Sequence, residues 1–510
     1  MAPARLLTGW GVMGALLGFA AAGWPARAQE MRPEGLLEDL HRESREQPPH
    51  DRLMLLWDLA IAATGVNAGT SAEWALEMYE LAGNVPHDAV WQQMNQAAGR
   101  KNALTILSLT DPERAAQHFL ELAPSPGHQP NEDPRIDLSR HLFPRLWARE
   151  GMRCLPEILK FADFTSRTGQ YPYVGIGHIL PGLAKADRAA ADSVWLAAVR
   201  HLGEERGIWR TADDYLKFLR EGWAAAPAKS RRVALEAAMA VIHRGAEDQT
   251  ATEPGTRWYA EYYLPEGTVR LDSLETERVY DLLPFVDQID ANWGRRLRRQ
   301  YPALADKPLP HLDGAPWRAG LILAPGHDTA ERLEAGLERY RVWFLREWAE
   351  QDAKRAALLA ARDPVRRRTA MALVLPAYAK VDAAQAEAWR GELMAGGIPA
   401  RTSDDLAFLV ALARVDFAMG HPEDGRTVTD AALRLGEQLA SKRDRSRPPY
   451  AAEGAANLHE LADIYGEFQP NDLGSFAERL KDQEPALRLY LLAGAVRGAM
   501  RRRPGYVEPN

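Results

Sequence analysis

The sequence predicts an all-α protein: a right-handed superhelix of stacked antiparallel helix pairs, an α-solenoid divided into two lobes. Three observations carry that expectation. Apolar residues recur every three to four positions along most of the chain, the spacing of one helical face. Alanine is abundant and β-branched residues are sparse, which favours helices and their close approach. An aspartate recurs where one helical stretch gives way to the next.

Residues 1–28 read as a secretory signal peptide. Arg5 supplies the positive start, residues 6–22 carry no charge, Trp24-Pro25 stops a helix, and Ala26-Arg27-Ala28 fits the small-x-small pattern for cleavage before Gln29. The apolar stretch is glycine-rich and shorter than the roughly 20 residues a span needs. No later stretch is apolar for long enough to cross a bilayer. The expectation is a periplasmic or secreted chain with no membrane span after cleavage. Its formal charge is −7, and loss of Arg5 and Arg27 with an acid-free leader takes the mature chain to −9. That acidity argues against nucleic acid as a partner. Cys154 is the only cysteine, so no internal disulfide is possible, and it reads as a small buried apolar residue.

The helical elements follow in order. Leu53, Leu56, Trp57, Ala60 and Ile61 mark one face, and Trp74, Met78 and Leu81 the next. Leu337, Tyr340, Val342, Phe344, Leu345 and Trp348 mark a longer one. The joints between helices carry Asp111-Pro112, Asp187 and Asp382, each followed by alanines and then an aromatic: Ala115, Ala116 and Phe119; Ala190, Ala191 and Trp195; Ala386 and Trp389. Asp290 and Asp363-Pro364 extend the series. An aspartate accepts from the free N–H groups of a new helix, proline at the first position loses no useful donor, and alanines let the second helix lie close. Asp363 and Asp382 stand nineteen apart, which doubled gives a pair of roughly 38 residues, inside the range of helical repeats.

Near the C-terminus Leu409, Leu412, Ala413, Gly420 and Ala432 surround the turn at 418–423. Over about 34 residues this resembles a tetratricopeptide repeat. It departs at Asp416 and Thr429, where that family has an aromatic, and at Glu437, where it has a closing proline. The resemblance implies a concave face that binds a peptide or protein.

Two interruptions divide the helices. Residues 245–273 have weak helical periodicity, and 301–327 contain Pro302, Pro308, Pro310, Pro316 and Pro325, a density that excludes continuous helix. The expected organisation is an N-terminal helical-repeat region over 29–300, a proline-rich linker over 301–327 and a C-terminal helical-repeat region over 328–510. A further loop is expected over 124–134.

Motifs that carry chemistry are missing. There is no zinc helix, P-loop, nucleophile elbow or paired C-x-x-C, so no catalytic residue, metal or cofactor is assigned. Asp213-Asp214 and Asp404-Asp405 read as helix-start charges. His118, His128, Asp133, Asp137 and His141 read as loop residues without the compact spacing of a metal site. The arginine runs at 295–296, 298–299, 366–368 and 501–503 read as solvated helix faces or helix-end charges. Two aromatic groups remain as ligand- or partner-binding candidates: Tyr171, Tyr173 and His178 beside two glycines, and Trp258, Tyr259, Tyr262 and Tyr263 around Glu261. Tyrosine and tryptophan suit recognition surfaces because they pair large area with a polar tip, although a groove wall and a core plug both fit these stretches. The leading expectation is a non-enzymatic binding or scaffold protein with a protein or peptide partner. The alternative is an exported α/α-toroid enzyme acting on polysaccharide, which would also carry many tryptophans; there are fifteen here.

Overall fold

The computed structural model describes residues 32–85, 96–123, 133–168, 170–204, 209–252, 255–264, 266–310, 317–323, 332–333, 337, 345–362, 366–397, 401–440 and 454–509. The leader and its cleavage point, the corner at Asp363-Pro364, His128, most of the 124–134 loop and most of the helix expected over 337–348 lie outside the described residues.

The aspartate corners share one geometry. Asp111, Asp187, Asp290 and Asp382 all have φ between −144° and −155° and ψ between 75° and 102°. Each ends one helix with its backbone N–H, to Leu107, Leu183, Val286 and Tyr378 respectively, at 2.7–2.9 Å. Each then starts the next with its side chain, which accepts from Arg114 N at 3.2 Å, Ala190 N at 3.0 Å, Asn292 N at 3.0 Å and Gln385 N at 3.0 Å. At Asp111, Asp187 and Asp290 a single residue therefore turns the chain between two helices; at Asp382 a short turn over 379–381 precedes it. The residues behind the corners fill the angle: Ala115, Ala116, Phe119, Ala191, Trp195 and Ala386 are buried, and Trp389 lies against Tyr378 at 4.7 Å between ring centroids.

The chain is mostly helical, with little sheet. In order it runs α1 (Pro33–Ser44), α2 (Pro49–Ala63), α3 (Ala68–Ala82), α4 (Gln96–Thr110), α5 (Pro112–Phe119), α6 (Pro134–Glu150), α7 (Leu155–Thr168), α8 (Tyr173–Ala186), α9 (Arg188–Glu204), α10 (Trp209–Gly222) and α11 (Arg231–Thr252). There follow β1 (Arg257–Leu264), β2 (Gly267–Leu271), α12 (Leu274–Ile289), α13 (Ala291–Gln300) and β3 (Trp317–Leu323). The last part is α14 (Ala353–Arg362), α15 (Arg367–Tyr378), α16 (Ala383–Ala395), α17 (Ser403–Ala418), α18 (Pro422–Ala440), α19 (Ala455–Phe468), α20 (Leu473–Arg479) and α21 (Pro485–Met500). Among the described residues no helix is long and apolar enough to cross a membrane.

The sheet corrects the expectation of helices alone. Strand order is β2-β1-β3, antiparallel throughout, with Tyr262 opposite Val269 on one side and Arg318 on the other. The 258–263 stretch, expected to be irregular, is an aromatic-rich strand, a composition that suits a pleated, half-buried surface. β3 sits inside the segment expected as a linker. The five prolines of that segment flank it and leave residues 317–323 free to donate to a ladder, the condition a paired strand requires.

The first and last described helices meet. α21 packs on α1 and α2 as well as on α19. At this seam Asp58 is 1 % exposed and receives His459 Nε2 at 2.7 Å and Arg497 at 2.6 Å. Arg501 continues the network to Asp463 at 2.8 Å and Glu467 at 3.1 Å. Burial works against an ionised Asp58, but the His459 and Arg497 charges and hydrogen bonds prevail and hold its carboxyl below the usual range. α19 and α21 approach so closely that a Cβ on Gly466 or Gly498 would run into the carbonyl oxygen of Ala495 or Asp463 on the facing helix.

The pair expected from the tetratricopeptide resemblance is α17 and α18, joined through Gly420 at φ +88°. Where that family has an aromatic, Asp416 is fully buried and accepts from Arg390 Nε at 2.6 Å.

Candidate functional site

The strand β1 sorts its aromatics by pleat. Residues two apart share a face, so Trp258 and Tyr262 meet α12 while Glu261 and Tyr263 turn the other way. On the first face Glu277 of α12, 1 % exposed, collects the Trp258 indole N–H, the Arg318 guanidinium and, at 3.2 Å, the Tyr262 hydroxyl. Tyr262 and Tyr280 pack edge to face at 4.8 Å. On the opposite face Glu261 accepts from Tyr263 and from Arg270 Nε at 2.8 Å, and Tyr263 packs on Trp348 with centroids 5.5 Å apart. Tyr259 is half-buried.

More charge gathers behind Glu277. Arg278 Nε donates to Asp213 of α10 at 3.1 Å, and Arg220 stands 4.0 Å from Asp281, one turn beyond Glu277. The cluster thus holds three carboxylates (Asp213, Glu277, Asp281) and three guanidinium groups (Arg220, Arg278, Arg318). Burial pushes the Glu277 carboxyl up to about 7; Arg318 opposes this, and Asp281 and Asp213 reinforce it. Burial also raises Asp281 against the pull of Arg220 and Arg318. Tyr262 is raised well above its ordinary value by burial and by Asp281 and Glu277. Chemically, the arrangement can keep a proton on a carboxyl near neutral pH beside a tyrosine hydroxyl. Its open edge is formed by Asp213 and Arg318, whose side chains are each 30 % exposed; Glu277 itself lies behind them.

The other aromatic group has a different character. Tyr171 and Tyr173 are 2 % and 0 % exposed. Tyr171 stacks on His201 at 4.7 Å, and Tyr173 meets Tyr215 edge-on at 5.3 Å. The neighbouring glycine serves helix packing: a Cβ at Gly175 would come within 2.6 Å of Ser139 O on α6. His178 is exposed on α8. Tyr173 reaches α10 through Tyr215, and the Glu277 cluster reaches the same helix through Asp213, which pairs with Arg278.

Asp213 and Asp214 do not start a helix. They lie inside α10, where Asp214 pairs with Arg140 at 2.9 Å and accepts from Gln170 at 3.2 Å. Asp405 does start one, in a reciprocal capping box with Thr402 at the head of α17. The scattered histidines and acids are mostly helical rather than loop residues. His118 bonds Glu121 at 2.7 Å, and Asp133 caps α6 and pairs with Arg135. Among the described residues no group of three or more His, Cys, Asp or Glu could hold a metal ion. No protein-family model and no curated protein matches this chain.

Sequence reading missed Glu277, Asp281 and Arg318. Glu277 and Asp281 do stand four apart on one helix face, but that spacing ordinarily marks a solvated stripe. Only a paired strand laid over it turns the stripe inward.

Proposed function

We propose that the mature chain is an exported helical-repeat binding protein that offers the inner face of its helix stack to a protein or peptide partner. The observation that carries this reading is the packing of alternate helices. α4, α6, α8 and α10 each touch the next of the set, as do α15, α17, α19 and α21, and α21 returns to α2. The intervening helices touch mainly their chain neighbours. Helices that reach their second neighbour are more closely spaced and so lie on the smaller radius, which is how stacked helix pairs generate a concave lining. Export rests on the leader. Co-purification from a periplasmic extract with mass spectrometry tests the proposal: a stoichiometric partner supports it, and an isolated monomer that turns over glycans overturns it.

A second reading has one specific observation in its favour. The meeting of α21 with α1 and α2, together with a carboxyl poised near 7, suits a toroid-like enzyme acting on polysaccharide, in which Glu277 would move a proton. The sealing of Glu277 behind Trp258 and Arg318 weighs against it. Turnover of a glycan panel, abolished by Glu277→Gln, would establish this second reading.

A further inference from the structure

The arginine run of α13 forms a feature that neither reading uses. Arg295, Arg298, Arg299, Pro302 and Ala305 line a groove of about 600 Å³, within the size range of ligand pockets. α13 packs chiefly on α12 and on the turn at Pro302–Leu304, burying Gly294 and Leu297 and leaving Arg295, Arg296 and Arg299 exposed. Four arginines in ten residues carry no acid within the helix.

Their charges are unevenly answered. Arg298 is neutralised by Asp287, with contacts at 2.5 and 3.1 Å. Among the described residues Arg295 bonds the neutral amide of Asn292, Arg296 acts on Asp290 at the head of the helix, and Arg299 has no ion pair. The next charges along the chain, Asp306 and Lys307, cancel. A protein of formal charge −7 therefore carries two arginines without an ion-pair partner, Arg295 and Arg299, on the lining of a groove, a pattern that attracts anions.

We propose that this groove docks an acidic segment of a partner protein, an extended strand with carboxylates at alternate positions. Arg295 and Arg299 lie four residues apart on one helix face, about 6 Å along the axis. Alternate residues of an extended strand repeat at about 6.7 Å, so two successive carboxylates reach the two guanidinium forks, which fit carboxylate oxygens in pairs. Pro302 and Ala305 complete the lining with apolar surface. A long polyanion is disfavoured because the patch is only one helix long while the rest of the chain is acidic. A membrane surface is disfavoured because, among the described residues, no large apolar side chain lines the groove for insertion.

The test uses the intact mature chain and a fluorescein-labelled Glu-Ala-Glu-Ala-Glu peptide, read by fluorescence anisotropy at low and physiological salt. The expected result is salt-sensitive binding that weakens by about tenfold or more, roughly 1.4 kcal/mol, with the Gln-for-Glu peptide or with the double variant Arg295→Glu/Arg299→Glu. The variant should keep the wild-type melting temperature, since both side chains are exposed. No binding by the wild type, or equal binding by the variant, overturns the proposal. So does tighter arginine-dependent binding of polyphosphate or of anionic phosphatidylglycerol vesicles.

Discussion

Replacing Glu277 by Gln tests the reading of the strand-covered cluster, because glutamine imitates the protonated carboxyl and cannot titrate. The native carboxyl sits at about 7 against an ordinary 4.5. A folded value raised above the unfolded one means that the stabilising contribution is present in full below pH 4.5 and is lost as pH rises through 7. Each unit is worth about 1.4 kcal/mol, and between pH 5 and pH 8 the loss from this one group is on the order of 2–3 kcal/mol. The ion pair with Arg318 is already contained in that figure, since it is one of the causes that set the native value. The assay is urea unfolding followed by far-ultraviolet circular dichroism, for both proteins at both pH values. The difference between variant and wild type should move in favour of Glu277→Gln by roughly 2–3 kcal/mol from pH 5 to pH 8. A pH-independent difference, or a wild type that gains on the variant as pH rises, would refute the burial argument.

Other expectations follow from the seam and the core. Asp58→Ala leaves His459 and Arg497 facing a buried gap and should cost about 3–5 kcal/mol, measured by urea unfolding at pH 7. Because Asp58 is held below 3.8, its contribution is complete above that value and fades as pH falls, so the variant and wild type should converge in acid. Gly498→Ala forces α19 and α21 apart and should destabilise by about 1–3 kcal/mol, seen as a lower melting temperature, whereas Gly391→Ala, with open space around it, should not. Burial, with help from Glu150, raises the Cys154 thiol to about 11 from 9.0. Its thiolate fraction at pH 8 is then about a hundredfold lower than that of a free thiol, and a thiol reagent should label the native chain far more slowly than the urea-unfolded chain; equal rates would contradict its burial.

Much of the local architecture was legible along the chain. The corners at Asp111, Asp187, Asp290 and Asp382 were readable because a cap works within three residues of sequence, and the same short-range logic announced the alanines and aromatics behind them. Asp213-Asp214 shows the boundary of that logic. An acidic pair has the same appearance at a helix start and one turn inside it, and only the positions of Arg140 and Arg278, supplied by other helices, tell the two apart. The two aromatic groups looked alike in sequence for a similar reason: burial depends on what lies across from a ring, which the ring's own neighbours in sequence do not record.

By itself, then, the sequence determined the helical class, the places where helices hand over, the inert buried cysteine and the lack of a familiar catalytic motif. The tertiary structure alone decided that residues 257–264 pair with 317–323 across two intervening helices, that this pairing seals Glu277, and that α21 returns to Asp58 across more than four hundred residues. Helix formation is settled by contacts three and four positions apart. Strand pairing and chain closure are settled by surfaces that meet only after the rest of the chain has folded, and no local pattern encodes which surfaces those will be.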